Sequence, residues 1–283
     1  MIVTWSYKER NTFIQRLDPR ARIIFMLTAI LAIIQTWDFR VLIFWFALAM
    51  TAYVLAKLTW QETRRFWMVV LPIITLLVTI TALTGRGGEE AYQATHPLFT
   101  LPLWGDHVFT ISAEQLVFAA CQFIRMVTMA TFGLLIPFTI HPAHYGVTFK
   151  GLGMSDKFAV ATDLAFRLVP TVAKDFQTTL DAQRARGYEL ERKGAGLFQQ
   201  IRNLAPLVVP VTIGTILSGE DIIDAMDLRA FGAKPKRTWI VELHYEPRDY
   251  ILIAAGVLLL VATTVAKLLG YIHFWVPSWL IHG

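Results

Sequence analysis

The sequence predicts an all-α membrane protein: about five transmembrane helices, with a cytoplasmic domain of amphipathic helices inserted between the fourth and the last. Three observations predict it. Hydrophobic residues make up 55% of the 283-residue chain and charged residues only 17%, against about 25% charged in ordinary soluble domains. Long apolar stretches recur at 23–37, 39–56, 66–84, 115–138 and 250–269. The segment 141–249 breaks this pattern, being too polar to span a bilayer yet patterned with a helical period.

A transmembrane helix needs roughly 17 to 25 residues for a ~30 Å hydrocarbon core. Lipid offers no hydrogen bonds to the backbone, so each stretch reads as a continuous helix rather than an alternating strand. The first, 23–37, is the shortest, and Ala21 and Arg22 lengthen it if the arginine snorkels at its end. The basic residues before it are followed by a full-length span and no small-residue cleavage site, which excludes a signal-peptide reading. Cys121, the only cysteine, falls within the fourth span and excludes both an intrachain disulfide and a cysteine metal cluster. Trp37, Trp45, Trp60, Trp67, Trp275 and Trp279 fit the aromatic belts of a membrane–water boundary.

Charge orients the spans. Lys8, Arg10, Arg16, Arg20 and Arg22 precede the first, and Lys57, Arg64 and Arg65 cluster in the next turn on that side. The opposite side has Arg40 and Arg86, accompanied by Glu89, Glu90 and Asp106. Lys and Arg mark the cytoplasmic side, so the N-terminus is expected inside, four spans return the chain to the cytoplasm near His141, and the C-terminus is external. The limits expected are 1–140 for the first four spans, 141–249 for the cytoplasmic segment, and 250–283 for the last span and tail. The net charge of +5 reflects this topology and requires no nucleic acid.

Within 141–249, Pro170 suits a first helical turn, and Val172, Phe176 and Leu180 then recur every four residues opposite Lys174, Asp175, Gln177 and Asp181. That is an amphipathic helix, with Gly187 as its terminator. A second helix is expected to start around Pro206 to Pro210, to run through Ile213, Ile216, Leu217, Ile223 and Met226, and to end by Gly232. Ser218 and Gly219 could kink it before Glu220. Its apolar run, 206–219, is about 14 residues, which suits a buried or interfacial helix better than a span.

Both helices close on one phrase. Asp181-Ala182-x-x-x-Arg186-Gly187-Tyr188 is followed 43 residues on by Asp224-Ala225-x-x-x-Arg229-Ala230-Phe231, and basic residues come next each time: Arg192 and Lys193, then Lys234, Lys236 and Arg237. A cation near a helix C-terminus complements the macrodipole for about 0.3–1 kcal/mol. The dipole accounts for the arginine but not for the shared Asp-Ala upstream or the aromatic downstream. A phrase used twice suggests a partner with two equivalent sockets.

Other candidates offer less chemistry. No phosphate-binding G-x-x-x-x-G-K-[ST] loop occurs, and Gly85-Arg86-Gly87-Gly88 lacks the lysine and hydroxyl that hold phosphate and magnesium. His141 and His144 flank Pro142 at a helix end, with no HExxH and no matching carboxylate, so no metal site is expected. Arg125 sits about the middle of the fourth span, where a charge is costly unless it faces the bundle interior, water or a partner. Its role is either substrate or partner contact, or an internal hydrogen bond to neighbouring helices.

Leu17-Asp18-Pro19-Arg20 before the first span, the arginine in the fourth, Phe166-Arg167-Leu168-Val169-Pro170 and the two arginine phrases together resemble the transmembrane T component of energy-coupling factor transporters, the vitamin and metal-ion importers of prokaryotes. The resemblance covers nearly the whole chain. It implies a coupling protein of the prokaryotic cell membrane, not an enzyme. Each of two coupling helices would end in an Ala-Arg-Gly-like signature, its arginine contacting one of two ABC-type ATPase subunits. Ala185-Arg186-Gly187 matches that signature fully; Leu228-Arg229-Ala230 keeps the arginine and departs at both flanks. ATP and magnesium would belong to the ATPases, no cofactor is expected on this chain, and a small substrate-binding membrane subunit would hold the cargo. The alternative is a self-sufficient secondary carrier for a small anionic solute, selected by Arg125 and a pore between spans. Carriers of that kind often show inverted repeats and broken helices near the midplane, whereas the repeat here lies in the cytoplasmic segment.

Overall fold

The computed structural model describes residues 7–84, 97–102, 108–188, 197–233, 239–272 and 274–275. In chain order its elements are α1 (Phe13–Arg16), α2 (Pro19–Ile34), α3 (Phe39–Leu55), α4 (Trp60–Thr84), β1 (Pro97–Pro102), β2 (Val108–Ser112), α5 (Ala113–Thr139), a 3-10 turn (Pro142–His144), α6 (Tyr145–Gly151), α7 (Asp156–Ala185), α8 (Leu197–Leu228) and α9 (Pro247–Leu268). The strands form one antiparallel hairpin between α4 and α5, which decorates an all-α membrane protein without changing its class. The described residues divide into two compact units, those within 7–141 with 244–275 and those within 142–243.

In the first unit the helix starts follow local capping chemistry more than hydropathy. Asp18 accepts from the Arg20 backbone N–H at 2.8 Å and Pro19 takes the first helical position, so α2 begins before the apolar run and ends at Ile34. Thr36, Trp37 and Asp38 therefore form a turn instead of the end of the first span. Ser112 and Gln115 make a reciprocal capping box at α5, and Asp249 reaches back to the Glu246 N–H at α9. α4 starts at Trp60, six residues ahead of its apolar run at 66. The core sits among α2, α3 and α5, where Ile33, Leu42, Trp45, Phe132 and Leu135 are fully buried. Trp45 and Trp67 are thus core residues and not part of an aromatic belt; Trp60 is 60% exposed.

One helix pair organises this unit. Asp249 Oδ1 accepts from the Asp18 backbone N–H at 2.8 Å, tying the starts of α2 and α9 together. At their far ends Gln35 Nε2 donates to Thr264 Oγ1 at 2.9 Å, so the two helices run parallel. Between these ties Gly256 lets the backbones approach: a Cβ there would lie 2.6 Å from Thr28 Oγ1 and 3.4 Å from Phe25 Cα. Small residues at helix contacts serve this purpose in membranes, where close packing replaces the hydrophobic drive. Arg22 Nη1 donates to the Thr139 carbonyl at 2.6 Å, which brings the end of α5 to the start of α2. Three helix ends, those of α2, α5 and α9, thereby gather at one place.

In the second unit α6 and α7 fold back on each other. Tyr145 stacks on Phe166 with ring centroids 4.8 Å apart, and Gly146 lies so close to α7 that a Cβ would meet the Ala159 carbonyl at 2.6 Å. Two expectations are corrected here. α7 is capped by Ser155, whose hydroxyl accepts from the Phe158 N–H at 3.3 Å, so Pro170 lies inside a 30-residue helix and not in its first turn. α8 likewise begins at Leu197 and runs through both Pro206 and Pro210. A proline inside a helix loses one backbone bond, and the loss is mildest where the backbone is open; all three prolines are exposed. Ser218 and Gly219 lie within α8 without ending it.

By length and composition, Trp60–Ala82, Ala113–Thr139, Leu204–Leu228 and Pro247–Leu268 could each cross a membrane, and Phe39–Leu55 is a shorter apolar helix. The run expected to be about 14 residues at 206–219 thus extends to a span-length 25.

The α2–α9 contact can be tested by filling it. Gly256→Leu should wedge the helices apart and destabilise the purified protein by about 1–3 kcal/mol, seen as a lowered thermal unfolding temperature. Gly133→Ala in α5, with no atom within 4 Å of the added Cβ, should leave that temperature unchanged or raise it.

Candidate functional site

The two arginine phrases adopt the same backbone trap at the ends of α7 and α8. At the end of α7 the Tyr188 N–H donates to the Gln183 carbonyl at 3.0 Å and the Gly187 N–H to the Arg184 carbonyl at 2.9 Å. At the end of α8 the Phe231 N–H donates to the Met226 carbonyl at 2.9 Å and the Ala230 N–H to the Asp227 carbonyl at 2.8 Å. Both are Schellman motifs, which satisfy terminal carbonyls and need a left-handed residue just past the cap. Gly187 supplies it at φ +84° and Ala230 at φ +57°. Arg186 and Arg229 occupy the cap position itself, each one residue before the reversal. The departure from glycine at residue 230 therefore leaves the cap geometry intact and adds strain, because a left-handed non-glycine residue costs about 1–2 kcal/mol.

This geometry also explains part of the repeated phrase locally. The small residue permits the reversal, and an apolar contact from the residue after it commonly accompanies the motif, which is where Tyr188 and Phe231 stand. Of the two upstream acids, Asp181 is engaged on its own helix, accepting from Gln177 Nε2 at 3.1 Å and pairing with Arg184 at 3.6 Å. The guanidinium groups are what the cap leaves unused. Arg186 and Arg229 are exposed, and among the described residues neither has an acidic partner. Leu228, beside Arg229, is 90% exposed. Arg192, Lys193, Lys234, Lys236 and Arg237, the basic residues after each phrase, lie outside the described residues.

α7 and α8 pack around an apolar groove of about 680 Å³, walled by Leu168, Val172 and Phe176 from α7 and Val211 from α8. Leu180 is buried while Lys174, Asp175 and Asp181 face out, as the four-residue period predicts. Along α8, Val208, Val209, Ile213, Ile216, Leu217 and Ile223 are exposed.

Arg125 lies in the first unit, at the middle of α5. Its guanidinium sits 3.7 Å over the ring of Trp37, in the turn between α2 and α3, and it donates to Gln122 one turn back. Trp37 also stacks on Phe118 with centroids 4.9 Å apart. Nearby in the sequence, Arg40 sits 4.0 Å over Trp275. His141 meets Tyr7 edge to face at 5.0 Å, and among the described residues no three His, Cys, Asp or Glu side chains are grouped to hold a metal.

The sequence reading missed Asp249, Tyr245 and Gly256. Arg20 forks onto Asp18, with Nη2 to Oδ2 at 2.8 Å and Nε to Oδ1 at 3.1 Å, while its guanidinium lies 3.9 Å over Tyr245. Burial pushes the Tyr245 hydroxyl above its usual pKa. Glu246-Pro247 followed by Asp249 carries a helix-start signal, but nothing local marks its partner 231 residues away.

Helices of span length beside a second helical unit define the class as a multi-pass membrane protein. A family model described as Cobalt transport protein (CbiQ) matches residues 10–239. The energy-coupling factor transporter transmembrane protein EcfT of Clostridium kluyveri is 26% identical over 278 residues, covering 94% of this chain and 97% of its own length. The proteins of the same name from Lactococcus lactis and Thermotoga maritima are each 24% identical, over 89% and 92% of this chain and 93% of their own lengths. The chain belongs to the cobalt transport protein family, as a transmembrane (T) component of an energy-coupling factor transporter.

The strain at the second cap is measurable. Ala230→Gly should stabilise the protein by about 0.5–1 kcal/mol, and Gly187→Ala should destabilise it by about 1 kcal/mol, read as opposite shifts in thermal unfolding.

Proposed function

We propose that this chain is the coupling subunit of an ATP-driven importer of vitamins or metal ions. It would transmit motion from two ABC-type ATPase subunits to a small substrate-binding membrane subunit. The observation that carries this reading is the pair of matching helix ends, each presenting an exposed arginine with no acidic partner among the described residues. Arg186, set between Ala185 and Gly187, and Arg229, set between Leu228 and Ala230, are the contact residues proposed. Arginine suits such a joint because its planar fork grips a carboxylate with two parallel bonds and stays charged. The Schellman trap fixes the backbone beneath each guanidinium, so movement of the socket is passed to the helix axis instead of being lost in a loose loop.

ATP and magnesium are assigned to the ATPases, and no bond-making chemistry to this chain. The exposed apolar side of α8 supports a membrane-embedded partner, since patches of that kind mark interaction surfaces. The names of the family and of its relatives speak of cobalt transport and energy coupling, and agree with a transport role.

The gathered helix ends support one topology. Helices α2, α3, α4 and α5 would cross in turn, and α5 ends beside the start of α2. α9 starts at that same place, so the chain between them makes an even number of crossings. α7 is lined with Lys157, Asp163, Arg167, Lys174, Asp175 and Asp181 and is too charged to cross, so α8, despite its length, does not cross either. Five spans result. The Lys and Arg excess before residue 23, at 57–65 and in 141–249 favours a cytoplasmic shared face, with the N-terminus inside and the C-terminus outside.

Replacing one partner of a desolvated charge pair costs about 2–5 kcal/mol. Arg186→Ala or Arg229→Ala should weaken co-purification of the ATPases and substrate uptake, and the double change should abolish both at matched membrane levels. Lys at either position should rescue poorly, because a point charge lacks the fork. Full assembly and uptake in the double variant would reduce the repeated phrase to helix capping used twice.

A further inference from the structure

We infer that the groove beside Arg125 holds one anionic phospholipid of the surrounding bilayer, its phosphate on the Arg125 guanidinium and an acyl chain along the wall formed by α4 and α5. The inference needs only that the first unit spans a membrane, and is independent of the coupling role. The groove is about 560 Å³, within the range of small-molecule sites. Ile34, Val70, Ile74, Met126 and Met129 make its wall, and Val69 and Ile73, at 62% and 52% exposure, continue the apolar surface along α4. Among the described residues lining it, the cation is Arg125. Arg125 has its ring contact to Trp37 and its bond to Gln122, and no acidic partner among the described residues.

Depth decides the occupant. Trp37 stands in the short turn between α2 and α3, where a chain reverses at the edge of the hydrocarbon and tryptophan is enriched. The guanidinium over its ring therefore stands at the level of that turn, from which its long side chain reaches a headgroup phosphate, although Arg125 is the thirteenth residue of a 27-residue helix. A polar solute would need several convergent polar groups, and the wall supplies hydrocarbon. A helix from another subunit brings no anion cheaply, since a carboxylate inside a span is costly. A lipid brings a phosphate at this depth and an apolar chain below it, the two features the groove presents. Charge-assisted hydrogen bonds from arginine to phosphate are among the stronger contacts available.

Native mass spectrometry of the full chain, released from nanodiscs of equal phosphatidylglycerol and phosphatidylcholine, tests this directly. One phosphatidylglycerol per chain should be retained over phosphatidylcholine by about tenfold. Arg125→Gln should erase that preference, and Arg125→Lys should keep part of it. Met129→Trp, which fills the groove and leaves the cation, should lower retention of both lipids, and it decides the matter if the glutamine variant does not fold. Equal retention of the two lipids by the unmodified chain, or a preference untouched by Arg125→Gln, overturns the inference. So does a photoreactive side chain at Val70 that labels a protein subunit instead of lipid in assembled membranes.

Discussion

Buried backbone amides must find an acceptor, and at the starts of α2 and α9 they find the same one. Asp249 accepts from the Asp18 N–H through one oxygen and from the Glu246 N–H through the other, so a single carboxylate caps one helix and anchors a second. Asp18, thus placed, holds Arg20 in a fork. Gly256 and the Gln35–Thr264 bond then keep the helices in contact along their length. The parallel pairing of α2 and α9 follows from this tie. A carboxylate buried to 2% exposure would be a liability without those two donors; with them it sets the register of the first unit.

In the coupling role proposed above, the second unit would answer a different need, to present charge rigidly. A long arginine on a loop explores many conformers and loses much entropy on binding. Placing it at the cap of a helix, one residue before a hydrogen-bonded reversal, removes the backbone share of that loss. The device is used twice with different residues at the reversal, glycine once and alanine once, and the backbone bonds are the same. That equivalence of geometry despite divergence of sequence makes Leu228-Arg229-Ala230 a credible counterpart of Ala185-Arg186-Gly187.

Much of this was legible in the residues. The apolar runs marked the helices of the first unit because lipid allows a chain little else, and Ser112 with Gln115 or Asp18 with Pro19 could have set the starts more closely than hydropathy did. The α7 face was legible from Val172, Phe176 and Leu180. Proline misled: Pro170, Pro206 and Pro210 read as boundaries, yet they lie on exposed stretches of helices secured elsewhere, α7 by the Ser155 cap and by contacts such as Tyr145 on Phe166. Trp45 and Trp67 read as belt residues because the residue type does not tell which face of a helix is inward. The stacking of Arg125 on Trp37 was hidden because nothing local links the middle of α5 to the turn between α2 and α3. The Asp18–Asp249 tie was invisible because nothing local encodes a contact across so much chain.

The claim on which the rest stands is that α8 does not cross the bilayer, so that both arginine caps face one compartment. Single cysteines at the two positions, Arg186→Cys and Arg229→Cys in a Cys121→Ala background, can be labelled with a membrane-impermeant maleimide in right-side-out and inverted vesicles. Both should react in inverted vesicles and neither in right-side-out ones. Reaction of the two positions from opposite sides would mean that α8 spans the membrane, and would contradict the paired caps as a joint to one set of partners.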